Sequence, residues 1–385
     1  GPYTIRIQEK EILQLNNVML GEVWFCSGQS NMEMPMRGFK NQLVLGSNEM
    51  LMNADNDQLR LFEIKKIASP KPLNNVTGQW KLSDAASARE FSAVAFMYGL
   101  MLQQKLKVPV GIILSSWGGT RIESWMEQES LKAFQVEKDA QSFEESKEKH
   151  KLNSTLYNGM VAPMAGFGIK GFLWYQGESN RHEPELYEKL FPTMVSSWRK
   201  EWNSKDSLPF YYVQIAPYGS KDSTRSGRAL REAQLHCMKT IPNSGMAVTM
   251  DIGDEQLIHP SEKKKLSERL LYWALAKTYG YKGIAYSGPV YQSHKTENHK
   301  INISFDYADG GLTSFGKEIK NFEVAGADKI FVYAKAKIED NKTLTVWSDD
   351  VKDPVSVRYA YKEYVQGELY NTDGLPASSF RTDNN

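Results

Sequence analysis

Between residues 21 and 280, short apolar runs of strand length alternate with longer stretches of helical period. Few folds accommodate that alternation. Parallel strands need a crossover of a dozen or more residues, usually a helix, and a strand covered on both faces reads as an unbroken apolar run. The pattern predicts an α/β fold with a parallel sheet covered by helices. Its strands are expected at 23–26, 110–114, 171–175, 210–215 and 246–250. Leu186, Leu190, Met194, Trp198 and Trp202 recur at i,i+4 beside Tyr187, Phe191 and Val195, and mark the buried face of one helix. A second helix is expected after His259-Pro260, with Ser261 as cap, ending at Tyr279 before Gly280 as the C′ residue.

Beyond residue 280 the texture changes to Val-, Ile-, Phe-, Thr- and Tyr-rich runs at 300–305, 329–334, 343–348 and 355–361, split by Asn, Asp and Gly. This reads as an all-β unit. Residues 3–7 and 11–15 read as two short strands around a polar turn. An isolated hairpin is marginal, so they are expected to complete a β-domain shared with the C-terminal segment. At roughly 150 residues per domain, a chain of 385 residues holds two or three units. The expected division is 1–20 as part of the accessory β-domain, 21–282 as the α/β core and 283–385 as the rest of the accessory unit.

Composition removes several function classes. Forty-seven Lys and Arg against 46 Asp and Glu give a net charge of +1, and no segment gathers the basic stripe that counterion release on a nucleic acid needs. No nucleic acid is expected as a partner. The longest weakly polar stretch, 159–175, carries Lys170, Pro163 and four Gly, which a membrane span does not tolerate. The chain begins Gly-Pro-Tyr-Thr-Ile-Arg-Ile, with no basic n-region or apolar h-region, so localisation is not legible at this end. Cys26 and Cys237 are the only cysteines and read as buried thiols.

In an open parallel sheet the ligand site lies beyond the carboxyl ends of the strands. There the chain places Ser27-Gly28-Gln29-Ser30-Asn31-Met32, Trp117-Gly118-Gly119-Thr120, Gln176-Gly177-Glu178-Ser179-Asn180, Asp251-Ile252-Gly253-Asp254 and His259. A serine, a glycine pair, an amide, carboxylates and a histidine on one edge are the parts for acyl transfer through a serine nucleophile. Each part alone has a plainer role: a turn serine, a turn glycine pair, a satisfied histidine. Their joint placement carries the argument. No His or Cys cluster has metal-ligand spacing, so no metal or organic cofactor is expected.

The block 21–32, Gly-Glu-Val-Trp-Phe-Cys-Ser-Gly-Gln-Ser-Asn-Met, resembles the sialate O-acetylesterases and their carbohydrate-esterase relatives in the SGNH hydrolase superfamily. The resemblance extends through Trp117-Gly118-Gly119-Thr120, Ile122-Glu123-Ser124-Trp125, Leu156-Tyr157-Asn158-Gly159-Met160, the block at 174–180, Asp251-Ile252-Gly253, Ile258-His259-Pro260 and two blocks at 371–376 and 380–383. It implies a three-layer α/β/α SGNH core and an accessory β-domain from segments on both sides, entered here partway. It further implies a serine esterase that removes O-acetyl groups from carbohydrates, most of all from sialic acids, and a secreted or periplasmic location. Ser30 is then the nucleophile and His259 the base. The oxyanion is held by the Ser30 N–H, by Gly118 or Gly119, and by the Gln176 side chain. Gln29, Asn31, Trp117, Arg121 and Asn180 line the O-acetylated sugar or glycan. Acetylxylan or another acetylated sugar, and a binding module without catalysis, are the competing readings.

Two departures from the family pattern matter. The acid usually sits three residues before the histidine, where this chain has Gln256, and Leu257 precedes Ile258-His259-Pro260 where relatives carry Asp. Neither side chain stabilises an imidazolium by charge. Glu178 is the first candidate for the acid and Asp251 and Asp254 are alternatives; failing these, a Ser30–His259 dyad with an amide such as Gln256 holds the tautomer. The second departure is Arg121, where relatives often have Pro. It is expected either to meet a substrate carboxylate bidentately or to pair with Glu123 at the surface.

Overall fold

The computed structural model describes residues 1–383 apart from 137, 138, 140, 205–207, 221, 223 and 341. The chain opens with a hairpin, β1 (Tyr3–Gln8) and β2 (Ile12–Val18). It then lays down β3 (Glu22–Gly28), β4 (Asn56–Glu63), β5 (Trp80–Ser83), β6 (Val110–Ser116), β7 (Gly171–Tyr175), β8 (Phe210–Val213) and β9 (Ser244–Ala247). These last seven form one sheet in the order β5-β4-β6-β3-β7-β8-β9. Every neighbouring pair is parallel except β4 with β5, so the sheet is mixed, with one antiparallel edge strand.

The five strands expected from the sequence are the contiguous run β6-β3-β7-β8-β9. The two that escaped notice lie at the other edge. In β4 only Leu59 and Leu61 are buried, with polar neighbours between them, so no unbroken apolar run announces the strand.

Side chains alternate between the two faces of each strand, and both faces are covered. Phe25, Ile113, Phe172, Trp174, Phe210 and Tyr212 meet the helices Pro184–Glu201 and Gly227–Thr240. Trp24, Cys26, Leu114, Leu173, Tyr175 and Tyr211 meet Ala93–Leu106 and Lys263–Trp273. Burying one side chain of the size of Phe172 stabilises the fold by about 1.5–3 kcal/mol. Met32, Met34 and Met36 are wholly buried in the second layer. Cys26 and Cys237 are buried and free.

The row on 184–201 is buried as the spacing predicts, with Leu190, Met194 and Trp198 inaccessible. The helix after His259 begins at Lys263, one residue later than a Ser261 cap would place it, and Ser261 does not cap it. It runs through a wide turn at Ala274–Thr278 and stops at Gly280, whose φ of +71° suits the C′ position.

The C-terminal strands build a separate seven-stranded antiparallel sheet. Its members are, in spatial order, Val290–Glu297, Lys300–Asp306, Thr343–Trp347, Val332–Glu339, Ile319–Ala325, Ser356–Tyr359 and Phe380–Arg381. Its apolar face is continuous with the core under 184–201 and 227–240. The expectation that the N-terminal hairpin completes this sheet is not met, because β1 and β2 pair only with each other. Their hydrophobic side chains stay exposed, Ile12 at 65% and Leu13 at 56%, so the hairpin finds no apolar surface that would draw it to the C-terminal strands.

Candidate active site

Strand β3 lies between β6 and β7, where the connections turn to opposite sides and leave a crevice at the carboxyl ends. It ends at Gly28, with φ +141°, where a Cβ would lie 2.1 Å from the Tyr175 carbonyl oxygen. Only glycine fits so close an approach. The Gln29 N–H donates to Tyr175 O (3.0 Å) and the Trp117 N–H to Gly28 O (3.1 Å), which ties the ends of the three strands together. The next residue is Ser30, half-buried, at the start of the single turn Ser30–Glu33.

His259 reaches this serine from the far side of the sheet edge. Its Nε2 lies 2.9 Å from Ser30 Oγ and its Nδ1 lies 2.6 Å from Gln42 Oε1. An amide oxygen only accepts, so Nδ1 carries the proton and Nε2 is left to accept from the serine hydroxyl. The Phe39 ring packs edge-on against the imidazole at 5.2 Å. Asp254 Oδ1 accepts from the Gln256 and Leu257 N–H groups, 2.7 and 2.8 Å, and so makes the turn that presents the histidine. Burial, reinforced by the Lys263 ammonium, holds the imidazole down to about 4 from its usual 6.5.

Beneath Ser30 lies a second group of side chains. Asn31 Nδ2 donates to Glu178 Oε1 at 2.5 Å and to Ile258 O at 3.1 Å, while Lys263 Nζ donates to Asn31 Oδ1 at 2.6 Å. Asn31 and Lys263 are wholly inaccessible and Glu178 nearly so. Burial raises the Glu178 carboxyl, opposed by Asn31, Lys263 and Arg181. Burial lowers Lys263 to about 7, opposed by Glu178.

Several expected assignments are corrected by this geometry. Glu178 faces Asn31, not His259, and Asp251 is taken up by Arg269, bidentate at 2.7 Å on both oxygens. Asp254 makes the turn and Gln256 is exposed. Among the described residues no carboxylate lies in ion-pair range of His259. Gln176 spends both amide hydrogens on Thr120 O (3.1 Å) and Asn180 Oδ1 (2.7 Å), so it has none for an oxyanion. Gly118 packs beside Ser30, and its N–H donates to Glu33 Oε2 at 2.5 Å, with Lys66 on the other carboxylate oxygen. Gly119 beside it has φ +73° and is exposed.

The expected sugar-lining residues divide. Gln29 Oε1 accepts from the Gly177 and Ser179 N–H groups and braces the loop after β7. Asn180 accepts from the Ile122 N–H (2.9 Å) and donates to Glu123 (2.9 Å). Arg121 pairs with Glu123 (2.5 Å) and with Glu183, but Glu123 is buried, so this is not the surface pair expected. These three serve loop geometry. Trp117 remains at the rim, stacked on His150 with centroids 4.6 Å apart and planes at 4°.

The family described as carbohydrate esterase, sialic acid-specific acetylesterase matches residues 20–270. The sialate O-acetylesterase of Homo sapiens is 30% identical across 99% of this chain and 79% of its own length. That of Mus musculus is 29% identical, across 99% and 81%. The chain belongs to the sialic acid-specific acetylesterase family of carbohydrate esterases. Among solved structures, a carbohydrate acetylesterase from Xanthomonas citri superposes with a TM-score of 0.90 at 36% identity, covering all of this chain and 85% of that one. As a family member the chain is an ester hydrolase.

Within that acetylesterase frame, sequence reasoning missed Gln42, Lys263 and Glu33. Gln42 carries no signal, being an amide in an irregular loop. Lys263 opens a run of three lysines, which ordinarily marks a solvated face; its spacing of four from His259, one helical turn, is the clue that was available. Glu33 sits three residues past Ser30, close enough to be weighed with it. Among the described residues, no group of three or more His, Cys, Asp or Glu could hold a metal ion, and no helix is long and apolar enough to cross a membrane.

Proposed function

We propose that this chain removes O-acetyl groups from sialic acids through an acetyl-enzyme on Ser30, in an SGNH-type core over 21–282 with 283–385 as an accessory β-unit. The observation that carries the reading is the 2.9 Å contact between Ser30 Oγ and His259 Nε2 at the carboxyl edge of the parallel strands. Ser30 Oγ attacks the acetyl carbonyl as Nε2 takes its proton, and the same proton passes to the departing sugar oxygen. Water then attacks acetyl-Ser30 with His259 again as base, releasing acetate. Gln42 holds the Nδ1–H tautomer through both halves. The oxyanion meets the backbone N–H groups of Ser30 and of the Gly118-Gly119 turn, after Glu33 gives up the Gly118 N–H.

A broader reading, acetylated sugars in general, is favoured by one observation. The structural neighbour at 36% identity is a carbohydrate acetylesterase. Acetate release from O-acetylated sialic acids and from acetylated xylose, by wild type and by Ser30→Ala, decides between the two. Sialate should be preferred, and Ser30→Ala should lose at least ~10³-fold in turnover. Preference for xylose overturns the substrate, and an active Ser30→Ala overturns the nucleophile.

A further inference from the structure

No step of that reaction uses Lys263, yet its side chain is completely buried in the first turn of the helix Lys263–Trp273. A buried ammonium loses its hydration, a large cost unless hydrogen bonds and an opposite charge offset it. Here the offset is specific. Nζ donates to Asn31 Oδ1 at 2.6 Å, lies over the Tyr175 ring at 5.4 Å, and shares Asn31 with the Glu178 carboxylate, 2.5 Å from Nδ2. The second Asn31 hydrogen goes to the carbonyl of Ile258, 3.1 Å away. One amide thus joins the residue after the nucleophile, the residue before the base, the loop after β7 and the helix after the base. Glu178 Oε2 is buried with no hydrogen-bond partner among the described residues, so Asn31 is the side chain that holds this carboxyl in place.

We propose that Lys263, Asn31 and Glu178 form one positioning unit, a buried ammonium and carboxylate bridged by an amide, which sets the Ser30 loop against the His259 loop. The inference rests on reading Ser30 and His259 as nucleophile and base. The charged and titratable groups facing the unit are Glu178 and Arg181 from the loop after β7, Tyr175 from β7 itself, and His259. Of the two charges in the unit, the ammonium is the one that acts on His259, lowering it, while Glu178 steadies the ammonium.

The test is the pH profile of Lys263→Met, of Glu178→Gln and of the double variant, with acetate release as the readout. Lys263→Met should lower kcat by about tenfold, leave KM within about twofold and move the acid limb of kcat/KM upward by about one pH unit, because the field that disfavours imidazolium is gone. Wild type should also show an inflection near 7, as Lys263 loses its proton, that the variant lacks. If Lys263→Met does not fold, the double variant removes both charges together and should show the same upward shift. A folded variant with an unmoved acid limb and wild-type kcat overturns the unit. So does Glu178→Gln losing as much kcat as His259→Ala while Lys263→Met is unimpaired, since Glu178 would then act on the histidine itself. Activity surviving in Ser30→Ala would instead strike the reading beneath, whatever the Lys263 variants do.

Discussion

Two lines of side chains cross at Ser30, and they handle charge in opposite ways. Along the first, Ser30, His259 and Gln42 are partly exposed and formally neutral, and burial holds the imidazole well below its usual range. Along the second, Asn31, Glu178 and Lys263 are buried, and an amide bridges a carboxyl and an amine that do not touch each other directly. Where a serine hydrolase ordinarily sets a carboxylate against the histidine, this chain sets an amide against His259 and its carboxyl lies beneath Ser30. The difference teaches that a base can be oriented without being charged. Gln42 fixes the tautomer, and under the proposed mechanism the imidazolium of the transition state is stabilised by the developing oxyanion and the surrounding dipoles.

The largest effect should come from the neutral line. His259→Ala should lower kcat by about 10³-fold or more with KM little changed, because proton transfer from Ser30 is lost in the transition state alone. The pH profile sharpens the comparison. With the folded imidazole near 4, His259 stays neutral and competent until the pH falls close to that value, so the acid limb of kcat/KM should lie well below 6.5. The linked stability has the same direction. Between 6.5 and about 4 the unfolded chain binds the proton that the folded one refuses, so stability is lost as pH falls through that window. An acid limb at 6 or above would show that a negative charge reaches the imidazole after all.

Gln42 comes next. Gln42→Ala should cost about 10- to 100-fold in kcat, since the ring keeps its place against Phe39 but loses the group that selects its tautomer. Gln42→Glu is the more instructive change. A carboxylate on Nδ1–H should raise the imidazole, moving the acid limb upward by about one unit or more while the rate at neutral pH holds or improves. If the limb of Gln42→Glu coincides with wild type, Gln42 does not face the histidine in solution.

The same contrast explains what could be read in the chain beforehand. That Ser30 and His259 come together was legible because Ser30 follows a strand end and His259 lies on the loop beyond the last strand, on the edge where a parallel sheet gathers its loops. The middle of the sheet was legible because β3, β6 and β7 are continuous apolar runs. Gln42 was not, since it comes 12 residues after Ser30 in a loop with no period, and an amide fits any surface. Glu178 was found but given the wrong neighbour: sequence places it on the adjacent loop, while only the packing shows that Asn31 intervenes. Lys263 was hidden by Lys264 and Lys265, whose side chains are 41% and 50% exposed; one helical turn buries the first and frees the others. The hairpin β1–β2 was legible as strands and misleading as topology, because strand propensity says nothing about which edge a strand will join.

The smallest catalytic effect is expected at Asp251, and it bounds the comparison from outside. This carboxylate also lies at a strand end and is also nearly buried, but its partner is Arg269, whose Nη1 holds the Val248 carbonyl as well. Side-chain exposures of 8% and 10% put the pair out of reach of most solvent screening. Asp251→Asn keeps the shape and removes the charge, leaving Arg269 with a carbonyl and an amide where it had a bidentate acceptor. Turnover should stay within about threefold of wild type, because neither group touches Ser30, His259 or the Asn31 unit. Stability should fall by about 3 kcal/mol, the cost of leaving a buried guanidinium without its counter-charge, measurable as a lower urea midpoint at unchanged slope. A loss of turnover near that of His259→Ala, at unchanged stability, would place the acid in the histidine's own loop and dissolve the distinction between a neutral line and a charged floor.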